Sequence, residues 1–158
     1  MDIFFEPHRQ ILTALQQFDV RFILIGGYAV NFHGYNRTTG DMDLWLQPVE
    51  ENKEKLLAML QQLGFDKESM EYVQSLNFSD PQTFSMGEPP AQIDFMTRIT
   101  GVEFDEADKE KILADVDGIK LPVLQLNHLV RSKISNNRTK DKLDVEELQK
   151  IIAQRKKD

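Results

Sequence analysis

The segment from Leu24 to Leu46, LIGGYAVNFHGYNRTTGDMDLWL, constrains this chain more than any other. It opens at the end of an apolar run, Val20 to Ile25, broken only by Arg21, as suits a buried central strand. Gly26 and Gly27 follow and, lacking Cβ atoms, allow a tight backbone turn. Tyr28 to Phe32 then reads as the first turns of a helix, whose N–H groups over the glycines would favour an anion such as phosphate. No Gly-Lys-Ser/Thr follows, so this is not a Walker A loop. Arg37, Thr38, Thr39 and Gly40 lead into Asp41-Met42-Asp43-Leu44-Trp45-Leu46. Residues two apart on a strand share a face, so Asp41 and Asp43 point the same way, roughly 7 Å apart, with Trp45 further along. Met42 and Leu44 take the other face. Two like charges this close resist joint ionisation unless a cation lies between them. A solvated strand edge would show the same alternation, but it does not account for the glycine pair just before it.

Elsewhere, Pro7 to Phe18 has the spacing of a packing helix, with Ile11, Leu12, Leu15 and Phe18 on one side. Glu50 to Leu63 is an amphipathic helix with a Leu56, Leu57, Leu60 and Leu63 stripe, stopped by Gly64. Phe65 to Asp80 is ambiguous, with Val73, Leu76 and Phe78 as possible strand positions. Pro81 and Met86-Gly87-Glu88-Pro89-Pro90 mark turns. Ala91 to Met96 alternates, with Ile93 and Phe95 on one face and Gln92, Asp94 and Met96 on the other. Phe104 to Asp117 is read as a loop with a short helix around Ile112 and Leu113, and Ile119 to Leu124 as a strand with Pro122 at an edge or bend. Leu126 to Ile134 is helical, Asn136-Asn137 breaks it, and Asp141 to Ile152 forms a last helix before a solvated tail, Arg155 to Lys157.

At 158 residues and 41% hydrophobic, the chain is expected to form one domain, residues 1–158, with C-terminal helices from about 125 to 154. It has no cysteine, hence no disulfide or thiolate metal site. Asp2 and Glu6 precede any apolar stretch, and no apolar run approaches the roughly 18 residues of a membrane span. A cytoplasmic location without membrane contact is therefore expected. A net charge of -7 is the wrong sign for a general nucleic-acid binder, so any such contact would be local.

The glycine pair, the run Arg37-Thr38-Thr39-Gly40-Asp41-Met42-Asp43-Leu44 and the order Lys133-x4-Arg138-x-Lys140-Asp141-x2-Asp144 together resemble the small bacterial nucleotidyltransferases of the DNA polymerase β-like superfamily. The resemblance implies an α+β fold: a small mixed sheet carrying an acidic site, flanked by helices. It places a third carboxylate on a neighbouring strand, for which Asp94 in Gln-Ile-Asp-Phe-Met is the best match and Asp80 the next. It implies a metal-dependent enzyme moving a nucleoside monophosphate from an NTP to an acceptor hydroxyl, the acceptor being a small molecule, protein or RNA. Such chemistry calls for oxygen-bound Mg2+, two ions by resemblance, with Mn2+ as a substitute. Asp41 and Asp43 would hold the nucleotide-bound ion, and all three acids the second, with Asp94 nearest the attacking hydroxyl. Gly26 and Gly27 would let the backbone approach the phosphates, with Arg37, Thr39 and Lys133 completing the nucleotide contacts.

Other features carry less. Arg131 and Lys142 equally suit a solvated basic face, on which Arg138 and Asp141 would be local partners; Arg138 and Lys140 are the next candidates after Lys133, and Asp141 and Asp144 suit salt bridges better than metal. His33 reads as a helix-end residue and His8 and His128 as surface or packing residues, with no zinc-like cluster. Tyr35 and Trp45 could stack on a base, Trp45 better as core filler. The alternative function is a nucleotidyltransferase-fold partner protein of a toxin–antitoxin-type pair with weak or no catalysis.

Overall fold

The computed structural model describes residues 6–136 and 138–157. The readings of Met1 to Phe5 and of Asn137 lie outside these residues. The elements run α1 (Glu6–Gln17), β1 (Phe22–Ile25), α2 (Gly26–Phe32), β2 (Met42–Leu46), α3 (Glu50–Gln62), α4 (Lys67–Ser75), β3 (Thr83–Met86), β4 (Ile93–Met96), α5 (Phe104–Glu110), β5 (Ile112–Val116), β6 (Ile119–Val123), α6 (Leu126–Asn136) and α7 (Thr139–Lys157). The strands form one mixed sheet in the order β3-β4-β2-β1-β6-β5. This is the expected α+β architecture. No helix among the described residues is long and apolar enough to cross a membrane.

The core sits where the patterning put it. All four residues of β1 are buried, as are Met42, Leu44 and Leu46 of β2. β1 runs antiparallel to β2, and β2 runs parallel to β4. The parallel pairing matters most, because its register sets Asp43 directly beside Asp94. The same alternation that buries Ile93 and Phe95 turns Asp94 to the opposite face. Trp45 fills the core: its Nε1–H donates to the Thr97 carbonyl at 3.1 Å and its ring meets Phe104 edge-on at 5.2 Å.

Several expectations need correction. The glycine pair does not precede the helix; it forms the first turn of α2. The ambiguous stretch holds helix α4 in place of a strand, capped by Asp66, whose Oδ1 accepts from the Ser69 N–H at 2.7 Å. β3 goes unannounced in the sequence because only Phe84 of its four residues is buried; pairing with β4 creates it. Ile112 and Leu113 lie on strand β5, and the helix of that region, α5, comes earlier. Asp117 and Gly118, both at positive φ, form the tight hairpin turn into β6. β6 is interior to the sheet, but its register with β1 is confined to Leu24 and Val123, which leaves room for Pro122. Arg155 to Lys157 remain helical in α7, and an Arg155 Nη2–H reaches the His33 carbonyl at 3.3 Å.

His33 is buried at the end of α2 and its Nε2–H donates to the Leu124 carbonyl at 2.8 Å. Burial, only partly offset by that hydrogen bond, lowers its pKa and keeps it neutral. His8 and His128 are also buried rather than at the surface. Tyr35 packs, partly buried, against the core.

Candidate active site

Three carboxylates meet at one end of the sheet. Asp41 lies immediately before β2, Asp43 on β2 and Asp94 on β4, all half-buried. Burial and then the charges of Asp94 and Asp41 push Asp43 up to about 6, against the opposing pull of Lys140 and Lys133. A neutral bridge joins the other two. The Gln92 amide nitrogen donates to Asp41 Oδ2 at 3.1 Å and to Asp94 Oδ1 at 2.9 Å. Ser85 on β3, opposite Asp94 in the register, donates its hydroxyl to the same Oδ1 at 2.6 Å. As they stand, no three or more His, Cys, Asp or Glu side chains among the described residues are arranged to hold a metal ion. The donor set nevertheless suits a hard cation: it is all oxygen, carries surplus negative charge, and its paired acids repel.

The glycine pair is explained by close approach. Gly26 has φ of +68°, and a Cβ there would stand 2.2 Å from Asp43 Oδ2. A Cβ on Gly27 would stand 2.0 Å from Thr39 Oγ1. The glycines therefore let α2 start against the acid strand and against the polar segment leading into it.

Arg37 and Lys133 are drawn into a buried ionic network. Arg37 takes its backbone position from Asn31, whose Oδ1 accepts the Arg37 N–H at 3.1 Å. Its guanidinium grips Asp144 with Nε at 2.8 Å and Nη2 at 3.0 Å. Lys133 Nζ lies 2.9 Å from Asp144 and 3.2 Å from Asp141. Arg138 Nε donates to Asp141 at 2.7 Å from a largely exposed side chain. Burial of Asp141 works against ionisation, but Arg138 and Lys133 outweigh it and hold its carboxyl below the usual range. Asp141 and Asp144 thus form salt bridges, and Lys133 reaches the site as a paired cation.

A cleft of about 320 Å³ brings Gly26, Asp43, Lys133 and Arg138 together with Arg98 and Thr100, whereas Gly27, Arg37, Thr39, Asp41 and Asp94 are not part of its walls. Sequence reasoning missed Arg98; the signal was its position just past the alternating segment that ends at Met96. Asp80 stands apart at the turn before β3, its carbonyl accepting from the Thr97 hydroxyl at 2.8 Å. A hollow of about 270 Å³ lies on the other side of β4, lined by Ile93 and Phe95, away from the acids.

Comparisons with known proteins bear on the fold and the family. Nine chains of solved structures match the fold. One is the Thermotoga maritima protein TM1012, assigned as a nucleotidyltransferase, at TM-score 0.54 and 16% identity, covering 92% of this chain and 90% of that one. Another is the lincosamide antibiotic adenylyltransferase LnuA, solved with lincomycin, at TM-score 0.54 and 15% identity, covering 93% and 97%. A third is ANT(2″)-Ia in complex with adenylyl-2″-tobramycin, at TM-score 0.52 and 14% identity, covering 92% of each chain. At these identities the likeness is one of fold. No curated protein sequence matches. Residues 4–158 match the family described as "Nucleotidyl transferase of unknown function (DUF2204)", and the chain belongs to that family.

Proposed function

We propose that the chain transfers a nucleoside monophosphate from an NTP to an acceptor hydroxyl in a metal-dependent reaction. The observation that carries this reading is the β2–β4 register, which sets Asp43 beside Asp94 against the Cβ-free face of Gly26. LnuA, which this chain covers over 97% of its length, supports a catalytic unit of this size. In this reading, Asp41 and Asp43 would hold the nucleotide-bound ion, and all three acids would hold the second. When bound there, Mg2+, or Mn2+ in its place, would neutralise charge on the phosphate oxygens.

The remaining work belongs to the chain's own groups. Gly26 and Gly27 give the phosphates access to backbone N–H groups. Thr39, packed against Gly27, lines that approach, and Arg37 anchors the segment through Asp144. Lys133 contributes positive charge from a position fixed by two carboxylates. Asp94 accepts the acceptor's proton as the hydroxyl oxygen bonds to the α-phosphorus, the bond to the departing pyrophosphate breaks, and pyrophosphate takes the electron pair.

The test separates the acids. Mg2+ with a non-hydrolysable NTP should raise the melting temperature more than either alone, because the phosphates complete the ion's coordination. Asp43→Asn should impair both nucleotide binding and turnover. Asp94→Asn should largely spare binding and abolish single-turnover transfer of label from NTP to acceptors in cell extract. Transfer at the wild-type rate by Asp94→Asn would remove Asp94 from the site. Absence of both synergy and transfer would favour the non-catalytic partner-protein reading.

A further inference from the structure

We propose that Gln92 gates cation loading, its amide standing between Asp41 and Asp94 until bound nucleotide draws the ion in. This rests on the reading of Asp41 and Asp94 as cation ligands. Gln92 shares the face of Asp94, two residues away, and only an extended strand brings both side chains to Asp41. A carboxamide has two N–H donors on one nitrogen and carries no charge. It can therefore satisfy one oxygen of each acid without neutralising either. Ser85 reinforces this arrangement by donating to the same Asp94 oxygen, with the Gln92 nitrogen 3.5 Å from its hydroxyl.

An ion bound through Asp41 Oδ2 and Asp94 Oδ1 displaces both hydrogen bonds from the amide. In the absence of nucleotide, the amide competes with the ion for the same two oxygens. A bound triphosphate adds oxygen ligands and shifts the balance, so cation binding becomes conditional on nucleotide. Gln92 is thus a positioning residue: it sets where the acids wait and how readily they accept charge. The structure also predicts how charge at this position should act. Removing the amide frees the acids, adding a carboxylate strengthens the pull on a cation, and a tethered ammonium replaces the cation.

The experiment measures Mn2+ binding to the full chain by electron paramagnetic resonance, with and without a non-hydrolysable NTP. Without nucleotide, Gln92→Ala should bind Mn2+ about tenfold more tightly than wild type. Gln92→Glu should bind more tightly again, and Gln92→Lys should lose the site. The gain in Mn2+ affinity on adding NTP should be large in wild type and smaller in Gln92→Ala. Gln92→Asn, one methylene shorter and unable to span both acids, should resemble Gln92→Ala and keeps the test open should that variant fold poorly. A merely structural role would not order the variants by charge. Unchanged or weaker Mn2+ binding in both Gln92→Ala and Gln92→Asn overturns the gate, as does a wild type and variant series that binds no Mn2+ at all. The expected order of Mn2+ affinities without nucleotide transfer would support the gate and sink the transferase reading alone.

Discussion

Asp144 and Asp43 are carboxylates in opposite surroundings. Asp144 is 1% exposed, held bidentately by Arg37 and approached by Lys133. Asp43 is pushed up to about 6, first by burial and then by the charges of Asp94 and Asp41. Around Asp144 and Asp141, three cations face two acids; on the β2–β4 face, three acids meet the neutral donors Gln92 and Ser85. The ionic network at the start of α7 is internally satisfied, whereas the acid face has unmatched charge. A buried carboxylate with its full complement of donors fixes geometry. One that repels its neighbours is a place where an outside cation gains the most.

Breaking the satisfied side should have the largest effect. Asp144→Ala strips a buried partner from both Arg37 and Lys133, and should cost about 3–5 kcal/mol in urea unfolding. A smaller loss would mean that the network relaxes into solvent and is no more rigid than the acid face.

Gly26→Ala attacks the acid face through the backbone. The residue sits at φ of +68°, and the new methyl would meet Asp43 Oδ2. Left-handed strain and overpacking together should cost about 2–4 kcal/mol. Mn2+ binding should fall with the displaced carboxylate, and wild-type Mn2+ binding in this variant would argue against the close approach.

Asp43→Asn sharpens the contrast from the other direction. The pKa of Asp43 is raised in the folded chain, so between about 4 and 6 the folded protein binds more protons than the unfolded one. Wild-type stability contributed by this group is therefore present at low pH and lost as pH rises through 6. Above that pH, Asp43→Asn should be more stable than wild type by on the order of 3 kcal/mol, with the advantage vanishing towards pH 4. Paired thermal melts across this range check it; a pH-independent difference would mean that the acid repulsion is screened.

The smallest effect belongs to the exposed edge of the network. Arg138→Ala removes a partner whose side chain is 68% exposed, and should change stability by less than about 1 kcal/mol. Its effect on nucleotide affinity, measured by calorimetry, tells whether this cleft-lining cation also serves the ligand.

The sequence was most legible where spacing alone dictates geometry. Alternation in Asp41-Met42-Asp43-Leu44 and in Ile93-Asp94-Phe95 determined which residues are buried and which present acids, because a strand's period is two whatever it pairs with. Gly26 was legible as a turn residue; that its missing Cβ makes room for Asp43 Oδ2 was decided by the fold. The Asp66 cap on α4 and the Asp117-Gly118 hairpin turn were also written in the chain, but their signals were outweighed by Val73, Leu76 and Phe78 in one case and by the charge around Ile112 in the other. β3 was not legible, because a four-residue strand with one buried side chain exists only through its partner.

What spacing could not decide was who stands beside whom. The parallel register of β2 and β4 sets Asp43 next to Asp94, residues far apart in sequence whose repulsion exists only in the folded chain. α6 and α7 folding back towards the Arg37 segment turns Lys133 from a free cation into one held by Asp141 and Asp144. Gln92 reads in the sequence as one more polar residue on an alternating strand, and only the arrangement of β2 against β4 puts its amide between two acids. Local sequence determines the face on which a side chain lies, because chain geometry is short-ranged; its electrostatic role depends on charges that long-range packing brings within a few ångströms.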